Sequence, residues 1–185
     1  MKRFILFGLV AASLSASITF TPLPSTTLYG APGDVVGWGF TVSNTDPADW
    51  AVLTGSSFDG SPVYGTYMDY IATGPSFYVI GPAPEQQTVT QPWDRTNQLG
   101  LGEFDIYATD PAGTPIPGTL TLSYDLYSQD PNDPNFDPDI SYVGSFTASV
   151  SAEVQVTPEP SSFWMLSVLI PAVAVAARRR AAGNR

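Results

Sequence analysis

The chain has 185 residues and carries 17 acids against seven basic residues, with no histidine and no cysteine. No disulfide, Cys/His metal site, Ser-His-Asp centre or Cys-His centre can be built from it, and its sole lysine is Lys2. Between residues 17 and 156 sixteen acids face one base, Arg95, a balance that repels nucleic acid and anionic headgroups and excludes nucleic acid as a partner.

In chain order, Lys2-Arg3 and the apolar run Phe4 to Ala12 come first, followed by the small residues Ser13, Ser15, Ala16 and Ser17. A basic n-region, a short apolar h-region and a small-residue exit are the parts of a secretory signal. The run is shorter than the roughly 20 apolar residues of a spanning helix, so residues 1–16 are expected to be a signal peptide and the protein to be exported.

From residue 17 the pattern alternates in twos. Val36, Trp38, Phe40 and Val42 share one face, and Val35, Gly37, Gly39 and Thr41 the other. Phe104, Ile106 and Ala108 repeat the period. So do Leu120, Leu122, Tyr124 and Leu126, and finally Phe146, Ala148, Val150, Ala152, Val154 and Val156. This is the period of strands with one buried and one wetted face. Less regular runs at Ser17 to Phe20, Trp50 to Thr54, Tyr64 to Ile71 and Phe77 to Ile80 add strands, and Pro/Gly clusters such as 30–34, 43–47, 81–84 and 110–113 punctuate them. About seven to nine strands at this spacing predict an all-β domain over residues 17–156, an antiparallel β-sandwich of immunoglobulin-like outline. The stretch Ala31 to Asn44 is locally similar to the opening strand of extracellular immunoglobulin-like repeats.

Three features of the body bear chemistry. Trp93, in the loop Gln91-Pro92-Trp93-Asp94-Arg95, and Tyr127, on the wetted face of its strand, are the aromatic candidates for stacking on sugar rings. Trp38 falls on the buried face as a core residue. Asp133, Asn135, Asp137 and Asp139 have the alternate spacing that opens a calcium-binding EF-hand loop. Pro138 stands where that loop turns on glycine and Gly144 where it needs a bidentate carboxylate. Calcium would therefore need an irregular loop, the alternative being a solvated connection stiffened by prolines. Glu103 and Asp105 lie two apart on an outward strand face, α-carbons about 6.8 Å apart. That resembles the carboxyl spacing of inverting glycosidases, but a solvated strand face accounts for both acids without catalysis, and no enzyme is expected. Arg95 is expected to pair with Asp94 or another loop carboxylate.

The chain closes on Thr157-Pro158-Glu159-Pro160-Ser161-Ser162, the apolar run Phe163 to Ala177, and Arg178-Arg179-Arg180. As a helix the run spans about 22 Å at 1.5 Å per residue, short of a hydrocarbon core of about 30 Å, and Pro171 would kink it. The arginines favour the cytoplasmic side. The order of polar motif, apolar helix and basic stop resembles the PEP-CTERM sorting tail of exported bacterial proteins. The resemblance implies an exosortase-type membrane protease as partner, recognition at Pro158, Glu159 and Pro160, and a basic stop at Arg178, Arg179 and Arg180. Threonine precedes the motif where valine is common. The resemblance also divides the chain into a motif and linker at 157–162, a single transmembrane helix at 163–177 and a basic tail at 178–185. It implies a transient stay in the inner membrane, then release to the cell surface or extracellular matrix. A structural or adhesive role follows, with an exopolysaccharide-binding module, calcium-assisted or not, as the alternative.

Overall fold

In the computed structural model the described residues are 18–84 and 88–158. The expected signal peptide, Glu159 and Pro160, the apolar run 163–177 and the basic stop at Arg178 to Arg180 lie outside them. The strands are β1 (Ile18–Leu23), β2 (Thr27–Gly30), β3 (Val35–Asn44), β4 (Trp50–Phe58), β5 (Gly65–Asp69), β6 (Val79–Ile80), β7 (Thr88–Gln91), β8 (Gly102–Ile106), β9 (Pro115–Tyr127) and β10 (Tyr142–Val156). Two single-turn helices interrupt them, α1 (Tyr70–Thr73) and α2 (Pro138–Ser141).

Alternating apolar residues place the strands in two sheets. One has the order β1-β3-β8-β5, with β7 also on β3, and the other has the order β2-β10-β9-β4-β6. Trp38, Phe40 and Val42 of β3 and Phe104 and Ile106 of β8 meet Leu120, Leu122, Leu126 and Val154 of the second sheet in one hydrophobic cluster. Trp38 lies 5.0 Å from Phe58, centroid to centroid, so the expected core position of Trp38 holds. Removing these faces from water is the main force holding the layers together.

Two pairings differ from a plain antiparallel sandwich. The first is β2 on β10, which is parallel, with Glu153 opposite Thr27 and Val156 opposite Gly30. β2 continues the direction of β1 after the chain crosses at Pro24 from one sheet to the other. The second is the division of one side of β3. β8 takes Val35 to Trp38 and β7 takes Phe40 to Ser43, so residues 92–101 must loop out between them. That loop builds the candidate site.

The run Tyr64 to Ile71, expected as one strand, stops at Asp69. There the Asp69 carboxylate accepts from the N–H groups of Ile71 (2.8 Å) and Ala72 (3.2 Å) and starts α1; side-chain capping overrides the apolar pattern. At the far end of β3 the buried Asn44 closes the turn to β4. Its Nδ2 donates to Asp49 O (2.8 Å) and Ile80 O (3.3 Å), and its Oδ1 accepts from Asp46 N (2.9 Å).

Candidate functional site

The loop between β7 and β8 is organised by Asp94. Its backbone exchanges hydrogen bonds with Leu99 at 2.9 and 3.0 Å. Its carboxylate accepts from Thr96 N (2.9 Å), Asn97 N (3.2 Å) and Asn97 Nδ2 (2.7 Å). Those donors, Asn97 first, hold the Asp94 carboxyl below the usual range. Gly100, at φ +109°, returns the chain towards β8, and a side chain there would strike Trp38 O at 2.8 Å.

Closed this way, the loop lies on the outer face of β3. The Trp93 ring rests on Gly37, where a Cβ would stand 2.2 Å from Nε1, and the backbone of residues 91–93 covers Gly39. Both glycines are therefore buried, although alternation placed them on the wetted face. Glycine lets the loop come this close.

Glu103 sits beside Gly37 in the register of β3 and β8 and is only 8% exposed. The hydroxyl of buried Tyr70 donates to its Oε2, and Arg95 Nε lies 3.4 Å from the same oxygen. The expectation of two solvated acids thus fails for Glu103 and holds for Asp105, which is exposed. The reason is the Trp93–Arg95 loop, which folds over one acid and leaves the other clear. Arg95 pairs with this strand acid rather than with a loop carboxylate. Burial first, then the hydrogen bond to Glu103 and its charge, push the Tyr70 hydroxyl up to about 12. At neutral pH Tyr70 is a fixed donor, and the three side chains form a clasp that holds the loop on the sheet.

Beyond the Leu23–Gly39 pair, β1 leaves β3, and a groove of about 390 Å³ opens there. Pro24, Ser25, Tyr29, Val36, Gly37 and Trp93 line it, with Thr27 and Leu28 beside them. A second recess, lined by Leu23, Pro24 and Pro92, runs along the same Trp93 ring. None of these side chains is charged, and Tyr29 is 67% exposed. The groove can offer aromatic surface and hydroxyls to a neutral ligand. Tyr29 escaped the sequence reading because β2 is only four residues long and carries no apolar run.

Tyr127 belongs to the other sheet, in one register row with Trp50 and Tyr142. Its ring meets Phe136 edge-on at 5.2 Å and 77°, and Tyr142 at 5.9 Å and 64°. These rings pack on one another and do not form a flat platform. Trp93 and Tyr127 therefore do not share a site.

In the acidic loop three of the carboxylates each close their own turn. Asp130 accepts from Asn132 N at 2.8 Å, Asp133 from Asn135 N at 2.7 Å, and Asp137, the N-cap of α2, from Asp139 N at 3.0 Å. Asp130, Asp133 and Asn135 line one shallow pocket with Gln129 and Phe136, while Asp137 and Asp139 do not join them. Among the described residues no three His, Cys, Asp or Glu side chains converge as a metal-holding group. No helix among them is long and apolar enough to cross a membrane.

Sheets, core and groove define an all-β protein of two facing sheets with an uncharged aromatic groove at one edge. No family model matches the chain, and no curated protein does. Among solved structures it is similar to AvmM, described as catalysing macrocyclization in alchivemycin A biosynthesis. That likeness is at 10% identity and a TM-score of 0.26, covering 78% of this chain and 90% of that one. At that score it carries no argument about chemistry.

Proposed function

We propose that this is a non-enzymatic exported protein of structural or adhesive type, delivered to the cell surface or extracellular matrix through a PEP-CTERM tail. In this reading residues 1–16 are a signal peptide and 17–156 an immunoglobulin-like sandwich. Residues 157–162 are the motif and linker, 163–177 a transient inner-membrane helix and 178–185 a basic tail. The strand order supports the immunoglobulin-like outline: β1-β3-β8-β5 faces β2-β10-β9-β4, with the first edge divided between the sheets.

The observation that carries the sorting reading is the junction. Val156 N–H donates to Thr114 O (3.0 Å) and Thr157 N–H to Gly30 O (2.7 Å), and the next residue, Pro158, is exposed. Among the described residues the last backbone hydrogen bond therefore falls immediately before the Pro-Glu-Pro motif. An exosortase-type protease acting at Pro158, Glu159 and Pro160 would free the sheets with every ladder bond intact. Intact-mass and C-terminal peptide mapping of protein from host envelope and medium tests this. A mature chain ending between Thr157 and Ser162 is expected, and one still carrying Phe163 to Arg185 defeats the sorting reading.

The groove beside Trp93 favours a second reading, a module for neutral exopolysaccharide. Its calcium-assisted form rests on the Asp130 to Asp139 loop. Titration with host polysaccharide should shift tryptophan emission, and Trp93→Ala should remove the shift. An unchanged spectrum across a broad glycan panel excludes it.

A further inference from the structure

β10 pairs with β9 from Tyr142 to Gln155, in continuous register from Gly144 after an irregularity between Tyr142 and Gly144. On its other side β2 covers only Glu153 to Val156, so residues 142–152 form a sheet edge with no partner strand among the described residues. The backbone direction along that edge is set by the bonds at its end. Glu153 N–H donates to Thr26 O at 2.9 Å and Thr157 N–H to Gly30 O. Odd-numbered residues therefore point their N–H and C=O groups at the β2 side, and by the two-residue period so do Ser145, Thr147, Ser149 and Ser151.

Natural edges are usually blunted by charge, proline or cover. The segment Tyr142-Val143-Gly144-Ser145-Phe146-Thr147-Ala148-Ser149-Val150-Ser151-Ala152 holds no charged residue and no proline, within a body of sixteen acids and one base. It also holds exposed apolar side chains: Tyr142 and Val143 are about half exposed and Phe146 is 40% exposed.

We propose that this edge pairs antiparallel with the same edge of a second copy, about a two-fold axis at Ala148. In that register Ser145 stands opposite Ser151 and Thr147 opposite Ser149 on the outer face. On the inner face Phe146 stands opposite Val150 and Ala148 opposite Ala148. About eight interchain hydrogen bonds then use every free odd-numbered backbone group from 145 to 151. The strip is self-complementary, as a two-fold interface requires. Residues 142–152 also carry no carboxylate, so two strongly acidic bodies can approach along this edge without setting charged strand residues opposite one another. The pairing needs no processing of the tail, so it stands or falls apart from the sorting reading.

The chain has no cysteine, so introduced thiols report contacts directly. Full-length Ala148→Cys, oxidised with copper-phenanthroline in the producing cells, should run chiefly as a disulfide-linked dimer. Thr66→Cys, on an exposed position of β5, should not. Co-expressed Thr147→Cys and Ser149→Cys chains should cross-link more than either alone, a readout that survives if position 148 tolerates no change. Adding Thr147→Glu and Ser149→Glu to Ala148→Cys puts like charges opposite one another. It should cut the dimer at least tenfold while the circular dichroism melt still shows a folded body. Cross-linking at 148 and in the mixed pair no stronger than at Thr66, or dimer that survives both added glutamates, overturns the proposal.

Discussion

Tyr70 meets a carboxylate that alternation alone would leave in water. Its raised pKa gives a pH dependence whose sign follows from linkage. The unfolded hydroxyl ionises near pH 10 and the folded one near 12, so the folded state holds the proton longer. The stabilisation is complete below about pH 10 and is lost as pH rises through 12, at no more than about 1.4 kcal/mol per pH unit for one group. Burial also raises Tyr67, Tyr124 and Tyr127. Urea midpoints should therefore be flat from neutral pH to about 10 and fall beyond it, and Tyr70→Phe should reduce the slope. An unchanged slope in that variant would show that Tyr70 ionises freely. Asn44 makes a second prediction. Asn44→Leu keeps the volume but orphans Asp49 O and Asp46 N at a buried turn and removes the second bond to Ile80 O, which β6 pairing still satisfies; this should cost about 2–4 kcal/mol in urea unfolding. The lone base and the loop tryptophan were legible in the sequence because both are rare in their surroundings. The partner of Arg95 was not, because alternation assigns a face to Glu103 without saying what a distant loop lays over it.

Asp69 links three elements and shows what a capping residue does beyond its own helix. It starts α1, and its Oδ2 also accepts Ser56 N–H at 2.9 Å from β4, in the opposite sheet. Ser56 Oγ lies 2.7 Å from both Asp69 Oδ1 and Leu101 O, with the Tyr67 hydroxyl 2.8 Å away. Asp69→Ala removes a cap and a link between the sheets together. About 2–3 kcal/mol of stability should be lost, read as a lowered urea midpoint at unchanged slope. Asp69→Asn should recover part of it, since one amide oxygen remains to accept. Equal losses in the two variants would show that charge, not hydrogen bonding, is what matters. Strands with four or more alternating apolar residues, β3, β9 and the second half of β10, could be read from sequence in type and face. β2 and β7, Thr-Leu-Tyr-Gly and Thr-Val-Thr-Gln, could not, because four residues with one inward side chain do not define a period. They exist because long neighbours, β10 and β3, offer them an edge.

For the molecule as a whole, sixteen acids and one base between residues 17 and 156 make self-repulsion the dominant long-range term, and folding concentrates it. The one base adds little in return, since its guanidinium is largely exposed beside Glu103 and such a pair contributes about 0–1 kcal/mol. Added salt screens both terms, but the repulsive terms far outnumber the attractive one. Melting temperature should therefore rise from low to high sodium chloride, by about 2–5 °C for a gain near 1 kcal/mol. A fall would mean that the Arg95–Glu103 clasp outweighs the sum of the repulsions. Calcium chloride at matched ionic strength separates screening from binding. Asp130, Asp133 and Asp137 each have one oxygen engaged by a backbone N–H two residues on, and only Asp130, Asp133 and Asn135 line a common pocket. The calcium and sodium curves should then coincide. A further rise with calcium, abolished by Asp133→Asn, would instead assign the loop as an irregular cation site and favour the calcium-assisted form of the polysaccharide module.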